Sequence, residues 1–366
     1  MTKLIDLFDA GVQAVRGDTS VTTALARADI PPPDQIIAVG KAATAMARAA
    51  HAHFGAVPLL IVTKYDHGEG APDTAEVIEA AHPVLDENSL RGGARVLETV
   101  AAMPQDSHLL MLVSGGASAL AEAPVDGLTL EELSARANEL LGSGADIHAM
   151  NKVRKTLSRI KGGKLLSEFK GARVTTLAIS DVEGDALGII GSGIGDAESD
   201  ATFMFAPQIV ASNRIAREAV VATGKAAGID TLDGGEILYD DIGKVAPVIS
   251  SAITAAVPGV LVFGGEPTVV LPPNPGKGGR NQALALMIAR EIAGMPNVEV
   301  LVAGTDGTDG PTDAAGAIVT GETWEPSADD ALARADAGSW LEARGALLRT
   351  GPTGTNVMDL VIARKS

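Results

Sequence analysis

Cysteine is absent from all 366 residues, which excludes disulfides, thiol nucleophiles, thiolate zinc sites and iron-sulfur clusters together. Aromatic residues make up only 3 % of the chain, so Ala, Val, Leu and Ile must fill any core. Bases are scarce beside acids, 29 against 46, for a formal net charge of -17. Such a surface repels polyanions and argues against nucleic-acid binding. No segment approaches the ~20 apolar residues of a membrane span. The start, Met1-Thr-Lys-Leu-Ile-Asp-Leu-Phe-Asp9, puts acids where a signal peptide needs an unbroken apolar stretch. We expect a cytoplasmic protein without membrane partners, with a homodimer left open.

Glycine is plentiful, 42 residues gathered in clusters, and the chain is long enough for two domains. Short apolar runs alternate with Ala-rich amphipathic stretches, the pattern of buried parallel strands joined by helices. Strands are expected at Ile36-Val39, Leu59-Val62, Leu109-Val113, Val174-Ile179, Val260-Phe263 and Val298-Val302. Helices are expected at Ala42-Phe54, Ser89-Met103, Thr129-Gly142, Ala206-Ala227 and Gln282-Ala293. Thr129 and Glu132 have capping-box spacing. The turns after the first four strands are where an open α/β sheet collects ligands.

Ser114-Gly-Gly-Ala-Ser118 follows one such strand, and its glycines allow backbone N–H groups to converge on phosphate or carboxylate. A purely geometric need for glycine is the plainer alternative. There is no P-loop, and Gly191-Ser-Gly-Ile-Gly195 ends in Asp196 where a dinucleotide fingerprint wants glycine. Between Asn151 and Lys164 stand Lys152, Arg154, Lys155, Arg159, Lys161 and Lys164 with no acid among them. If that stretch is one helix, Lys152, Lys155 and Arg159 share a face. A solvated basic face balancing local acids is the alternative. Lys41 ends the first strand, where it could reach across a cleft or simply lie at the surface. Arg280, in Gly276-Lys-Gly-Gly-Arg-Asn-Gln282, offers a planar fork for phosphate oxygens beside Asn281, a candidate helix cap. Asp306, Asp309 and Asp313 crowd a glycine loop, which suits a Mg²⁺-phosphate site or simple Asx-turns. Asp181 and Asp185 repeat the strand-end logic. The six histidines are scattered and suggest no zinc site.

Converging bases, carboxylates and glycine turns without a P-loop suit phosphoryl transfer. In chain order, Val39-Gly-Lys-Ala-Ala43, Val62-Thr-Lys-Tyr65, His82-Pro83, Ser114-Gly-Gly-Ala-Ser118, Asn151-Lys-Val-Arg-Lys155, Ser158-Arg-Ile-Lys-Gly-Gly163 and Ser180-Asp181 are followed by a second group. This comprises Gly264-Gly-Glu266, Gly278-Gly-Arg-Asn-Gln282, Gly304-Thr-Asp-Gly307 with Asp309-Gly-Pro-Thr-Asp313, and Gly351-Pro-Thr-Gly-Thr-Asn356. Together they resemble the glycerate 2-kinase family.

The resemblance implies an ATP- and Mg²⁺-dependent kinase acting on the 2-hydroxyl of D-glycerate. It implies an α/β fold of two domains, a larger Rossmann-like parallel-sheet domain and a smaller α/β carboxy-terminal MOFRL domain, with the active site in an interdomain cleft. We place these at residues 1–235 and 258–366, with a connector at 236–257. Lys41 and Arg280 match the motif residues expected to matter most for catalysis. We further assign substrate or nucleotide binding to Ser114, Gly115, Gly116, Ser118, Asn151, Arg154, Lys155, Lys161, Glu266, Asn281 and Asn356. Asp181 or Asp306 takes the hydroxyl proton or holds Mg²⁺, with Asp181 placed among the catalytic residues and Asp306 and Asp309 at the metal. The chain departs from the family at Val182-Glu-Gly-Asp185 and Ile190-Gly-Ser-Gly-Ile-Gly195, where a Pro-Thr is missing, which opens the substrate to a related C3–C4 sugar acid. Hydroxypyruvate reductase and a catalytically silent sugar-acid sensor are the competing readings.

Overall fold

The computed structural model describes residues 2–133, 135–136 and 153–366. Their contacts divide the chain into two compact units, Arg16–Ser212 and Met1–Val15 with Asn213–Ser366. The second unit therefore begins about twenty residues earlier than the sequence boundary and reclaims the amino terminus. The reason is packing: α1 (Leu4–Val15) buries Leu7, Phe8 and Val12 against the helix Asn213–Ala226. An added methyl group on Gly11 would lie 2.8 Å from Val220 Cγ2. The expected connector is itself core, because Ile242, Val245, Ile249 and Ile253 of the helix Ile242–Ala255 are buried.

In the first unit, α2 (Gly17–Arg27) precedes β1 (Gln35–Val39), α3 (Ala43–Phe54), β2 (Leu59–Lys64), β3 (Ala75–Ala80), α4 (Glu87–Ala101), β4 (His108–Val113) and α5 (Ala117–Leu120). After the helix Lys164–Ser167 come β5 (Arg173–Ile179) and β6 (Met204–Ala211). All six strands are parallel, in the order β3-β2-β1-β4-β5-β6. This is the Rossmann order, and it reverses between β1 and β4. The central strands are buried on both faces, as their unbroken apolar runs require.

The second unit has β7 (Thr231–Glu236), β8 (Gly259–Gly265), β9 (Val298–Gly304), β10 (Gly316–Thr320), β11 (Leu347–Leu348) and β12 (Asp359–Lys365). The sheet is mixed, ordered β11-β10-β9-β12-β8-β7, with β12 antiparallel to both β8 and β9. The carboxyl ends of β8 and β9 therefore meet the start of β12, where Asp359 pairs with both Gly265 and Gly304.

The stretch expected to be one helix from Ala206 is edge strand β6 followed by the helix Asn213–Ala226. Pro207 is tolerated there because an edge strand has an N–H side to spare. The expected capping box is present: Thr129 N–H donates to Glu132 Oε2 at 2.9 Å, and Glu132 N–H to Thr129 Oγ1 at 3.3 Å. Most of the rest of the expected Thr129-Gly142 helix lies outside the described residues. Among the described residues no helix is long and apolar enough to cross a membrane.

Candidate functional site

In the first unit the turns ending β1 and β4 are stitched together. Lys41 N–H donates to Gly115 O at 2.9 Å, and Ala42 N–H donates to Ser114 Oγ at 3.1 Å. Gly40 has φ +131°, and an added methyl group would lie 2.2 Å from Ser114 Oγ, so only glycine fits. The turns meet where the strand order reverses, the position where open α/β sheets bind ligands. Lys41 and His82 converge on Gly116, whose added methyl group would lie 3.2 Å from Lys41 Cγ and 3.1 Å from His82 Cδ2. Asp181 follows β5 at the same edge of the sheet. Ser114, expected to bind a ligand, is fully buried, and its hydroxyl fastens the turn. The Ser118 and Ser192 hydroxyls lie 2.8 Å apart.

The basic segment differs from expectation. A helix covers 153–157 and stops, because Ser158 bridges Pro124 and Arg159 N–H donates to Ala123 O at 2.7 Å. Lys155 and Arg159 thus do not share one helical face. Lys155 Nζ donates to Gly188 O at 2.9 Å, and Lys164 Nζ to Lys155 O at 2.6 Å and Ser158 O at 2.8 Å. Lys161 forms a buried ion pair with Glu122 instead of facing a ligand. Arg154 lies on the 153–157 helix, close enough for its charge to act on Lys161. Asn151 and Lys152 lie outside the described residues.

In the second unit Arg280 opens the helix Arg280–Glu291. Its Nε and Nη2 donate to the two oxygens of Asp359 at 2.7 and 3.3 Å, and Nη1 lies 2.8 Å from Glu266 Oε1. Burial works against the guanidinium charge, but Asp359 and then Glu266 outweigh it and raise the pKa, so Arg280 stays protonated. Glu266, expected to bind a ligand, is thus a partner of Arg280.

Asp309, expected at a metal, caps this helix. Its Oδ1 accepts Asn281 N–H at 3.0 Å and its Oδ2 accepts Gln282 N–H at 2.8 Å. An added methyl group on Gly279 would lie 2.2 Å from Asp309 Oδ1, which explains the glycine before the arginine. Asn281, the expected cap, is buried, and neither of its side-chain polar atoms has a hydrogen-bond partner among the described residues. Asp306 Oδ1 accepts the N–H and hydroxyl of Thr308 at 3.0 and 3.1 Å, an Asx-turn arrangement. Thr305 ties that loop to the last one: its hydroxyl donates to Met358 O at 2.7 Å, and Thr353 Oγ1 donates to Thr305 O at 2.6 Å. Asn356 Oδ1 accepts Met358 N–H at 3.4 Å. Among the described residues, no group of three or more His, Asp or Glu side chains is placed to hold a metal ion.

Burial raises the Asp309 pKa to about 6, outweighing the two N–H donors. A carboxyl raised on folding favours the folded state at low pH and loses that contribution as pH rises through about 6. Relative to Asp309→Asn, the native protein should gain on the order of 1 kcal/mol in stability between pH 7.5 and pH 5. Denaturant midpoints of both proteins at the two pH values measure it; a gap that moves the other way contradicts the buried, raised carboxyl.

Sequence reasoning missed Asp359, Asn213 and Glu122. Asp359 had a signal, an acid opening the apolar run Leu360-Val-Ile-Ala363. Asn213 Nδ2 donates to Val357 O at 2.9 Å and Asp359 O at 3.0 Å, a pairing across 146 positions that no local pattern reveals.

Residues 3–225 match the family described as a domain of unknown function, DUF4147, and residues 259–359 match the MOFRL family. A D-glycerate 2-kinase from Thermotoga maritima is 37 % identical across 98 % of this chain and 96 % of its own. The chain belongs to the glycerate 2-kinase family. A crystal structure of glycerate kinase from Thermotoga maritima superposes with a TM-score of 0.90 at 34 % identity, covering 99 % of this chain and 98 % of the other. One family relative, from Agrobacterium vitis, carries a hydroxypyruvate reductase name at 35 % identity over 89 % of this chain and 97 % of its own.

Proposed function

We propose that this protein transfers the γ-phosphoryl group of ATP to the 2-hydroxyl of D-glycerate, forming 2-phosphoglycerate and ADP. The observation that carries the reading is the meeting of Lys41 with the glycine turn 114–118 at the reversal point of a Rossmann-order sheet. The near full-length similarity to a D-glycerate 2-kinase supports the same chemistry. Phosphoryl transfer needs positioning and charge neutralisation more than covalent chemistry. Lys41 supplies a point charge to the phosphoryl oxygens. Arg280, whose Nε and Nη2 are held by Asp359 and Nη1 by Glu266, offers its remaining Nη N–H groups to a phosphate or to the glycerate carboxylate. Asp181 accepts the proton that leaves the 2-hydroxyl as the new O–P bond forms and the bond to ADP breaks.

Mg²⁺ accompanies ATP in this scheme and supplies neutralisation of phosphate charge. Such ions commonly need only one or two protein carboxylates beside the phosphates, so the lack of a three-residue cluster among the described residues is no obstacle. Asp306 is the carboxylate that would hold it. Asp309 does not fit, since both its oxygens serve the helix amides.

The altered 182–196 loop makes the acceptor the point to test. Purified protein should be offered C3 and C4 hydroxy acids with ATP and Mg²⁺, and D-glycerate with NAD(P)⁺ in parallel. ADP release fastest with D-glycerate is expected. Faster turnover of a C4 acid overturns the acceptor, and reduced nicotinamide without ADP release favours the reductase name.

A further inference from the structure

We infer that Glu122 and Lys161 are a positioning pair that holds the glycine turn 114–118 in its phosphate-binding shape. The inference rests on the kinase reading above. The pair closes a circuit of contacts. Ser118, on α5, meets Ser192 hydroxyl to hydroxyl at 2.8 Å. Glu122 lies two residues beyond α5, and its N–H donates to Ser89 O on α4 at 3.0 Å. Lys161 bonds Glu122 and immediately precedes Gly162 and Gly163, whose N–H groups donate to Ser192 O at 2.8 Å and Gly193 O at 3.1 Å. The circuit thus returns to the serine where it began. A second strut runs beside it, since Val125 N–H donates to Leu157 O at 3.0 Å while Arg159 N–H reaches Ala123 O.

Stability alone is a poor reason for this pair. Both side chains are almost fully buried, and a buried ion pair seldom outperforms an apolar pair of similar volume, because two charges must be desolvated. Glu122 Oε1 is buried without a hydrogen-bond partner among the described residues, so even the satisfied oxygen comes with an unmet one. Burial pulls the Lys161 pKa below the ordinary ammonium range, and the charge of Arg154 adds to that. What the pair supplies that an apolar pair lacks is direction: one ammonium fixed on one carboxylate oxygen sets the offset between two glycine segments. Ser192, held at φ +59° with its hydroxyl on Ser118, takes its position from the same offset.

The test separates stability from positioning. Glu122→Gln and Lys161→Met should each lower the denaturation midpoint and weaken ATP. The double variant Glu122→Leu/Lys161→Met should regain the native midpoint yet bind ATP at least about tenfold more weakly. Its KM for ATP should rise more than its kcat falls. ATP affinity is read by titration calorimetry with Mg²⁺ present, so the result does not depend on turnover. If the double variant does not fold, Glu122→Asp keeps both charges and shortens the reach by one methylene; it should weaken ATP severalfold. ATP affinity within twofold of native in whichever of these two folds overturns the positioning role. Absence of turnover in the native protein would instead strike the kinase reading.

Discussion

Lys41→Met should lower kcat/KM by about a hundredfold to a thousandfold, the usual effect of removing one preorganised charge-stabilising donor. Its melting midpoint should stay within a few degrees of native. The turn itself is held by Lys41 N–H on Gly115 O and Ala42 N–H on Ser114 Oγ, and neither bond involves the lysine side chain. Methionine keeps the methylene stem beside Gly116 and His82 and deletes only the charge. Steady-state kinetics with a parallel thermal melt measure both numbers. A variant that keeps more than a tenth of native turnover would remove Lys41 from the reaction.

Arg280→Ala should be the more damaging change, because it acts on catalysis and folding together. A charge-neutralising arginine in phosphoryl transfer is worth about a thousandfold or more in kcat. Removing it also leaves Asp359, 2 % exposed, without its bidentate partner, and Glu266 without its ion pair. Breaking a buried pair costs about 3–5 kcal/mol, and a third of the Arg280 side chain still sees solvent, so about 2 kcal/mol is expected. Adding Asp359→Asn should restore much of that stability without restoring turnover. Arg280→Lys keeps the charge and loses the fork, so it should fall between native and alanine in both measurements. Recovery of activity in the double variant would reduce Arg280 to a structural role.

Lys41 and Arg280 stand out as candidates in sequence because each follows glycine beside a strong apolar run. Interior strands β1, β4, β8 and β9 were legible for the same reason, since burial on both faces leaves an unbroken apolar stretch. Edge strands were not, and interior β10 and β12 also lie outside every expected strand. Ala75-Glu-Val-Ile-Glu-Ala80 and Thr231-Leu-Asp-Gly-Gly-Glu236 are half exposed and lie outside every expected strand, and β6 was absorbed into the following helix. The candidate residues divide in a similar way. Which lysine is presented and which is buried against a remote acid depends on pairings such as Glu122 with Lys161, 39 positions apart. Asp309 looked like a metal ligand because local spacing shows crowded carboxylates, whereas its amide partners lie 27 and 28 positions away. The acidic excess behaves likewise: the basic segment lacks acids in sequence, yet tertiary structure gives Lys161 the carboxylate of Glu122 and sets Arg159 beside Asp126.

The position of the phosphate on the product is the most direct test of the central claim. Purified protein, D-glycerate, ATP and Mg²⁺ can be followed by phosphorus NMR, with the product compared against authentic 2- and 3-phosphoglycerate. Stoichiometric ADP with 2-phosphoglycerate is the predicted result. Formation of 3-phosphoglycerate, or no phosphorylated product from a folded protein that binds ATP, would contradict it.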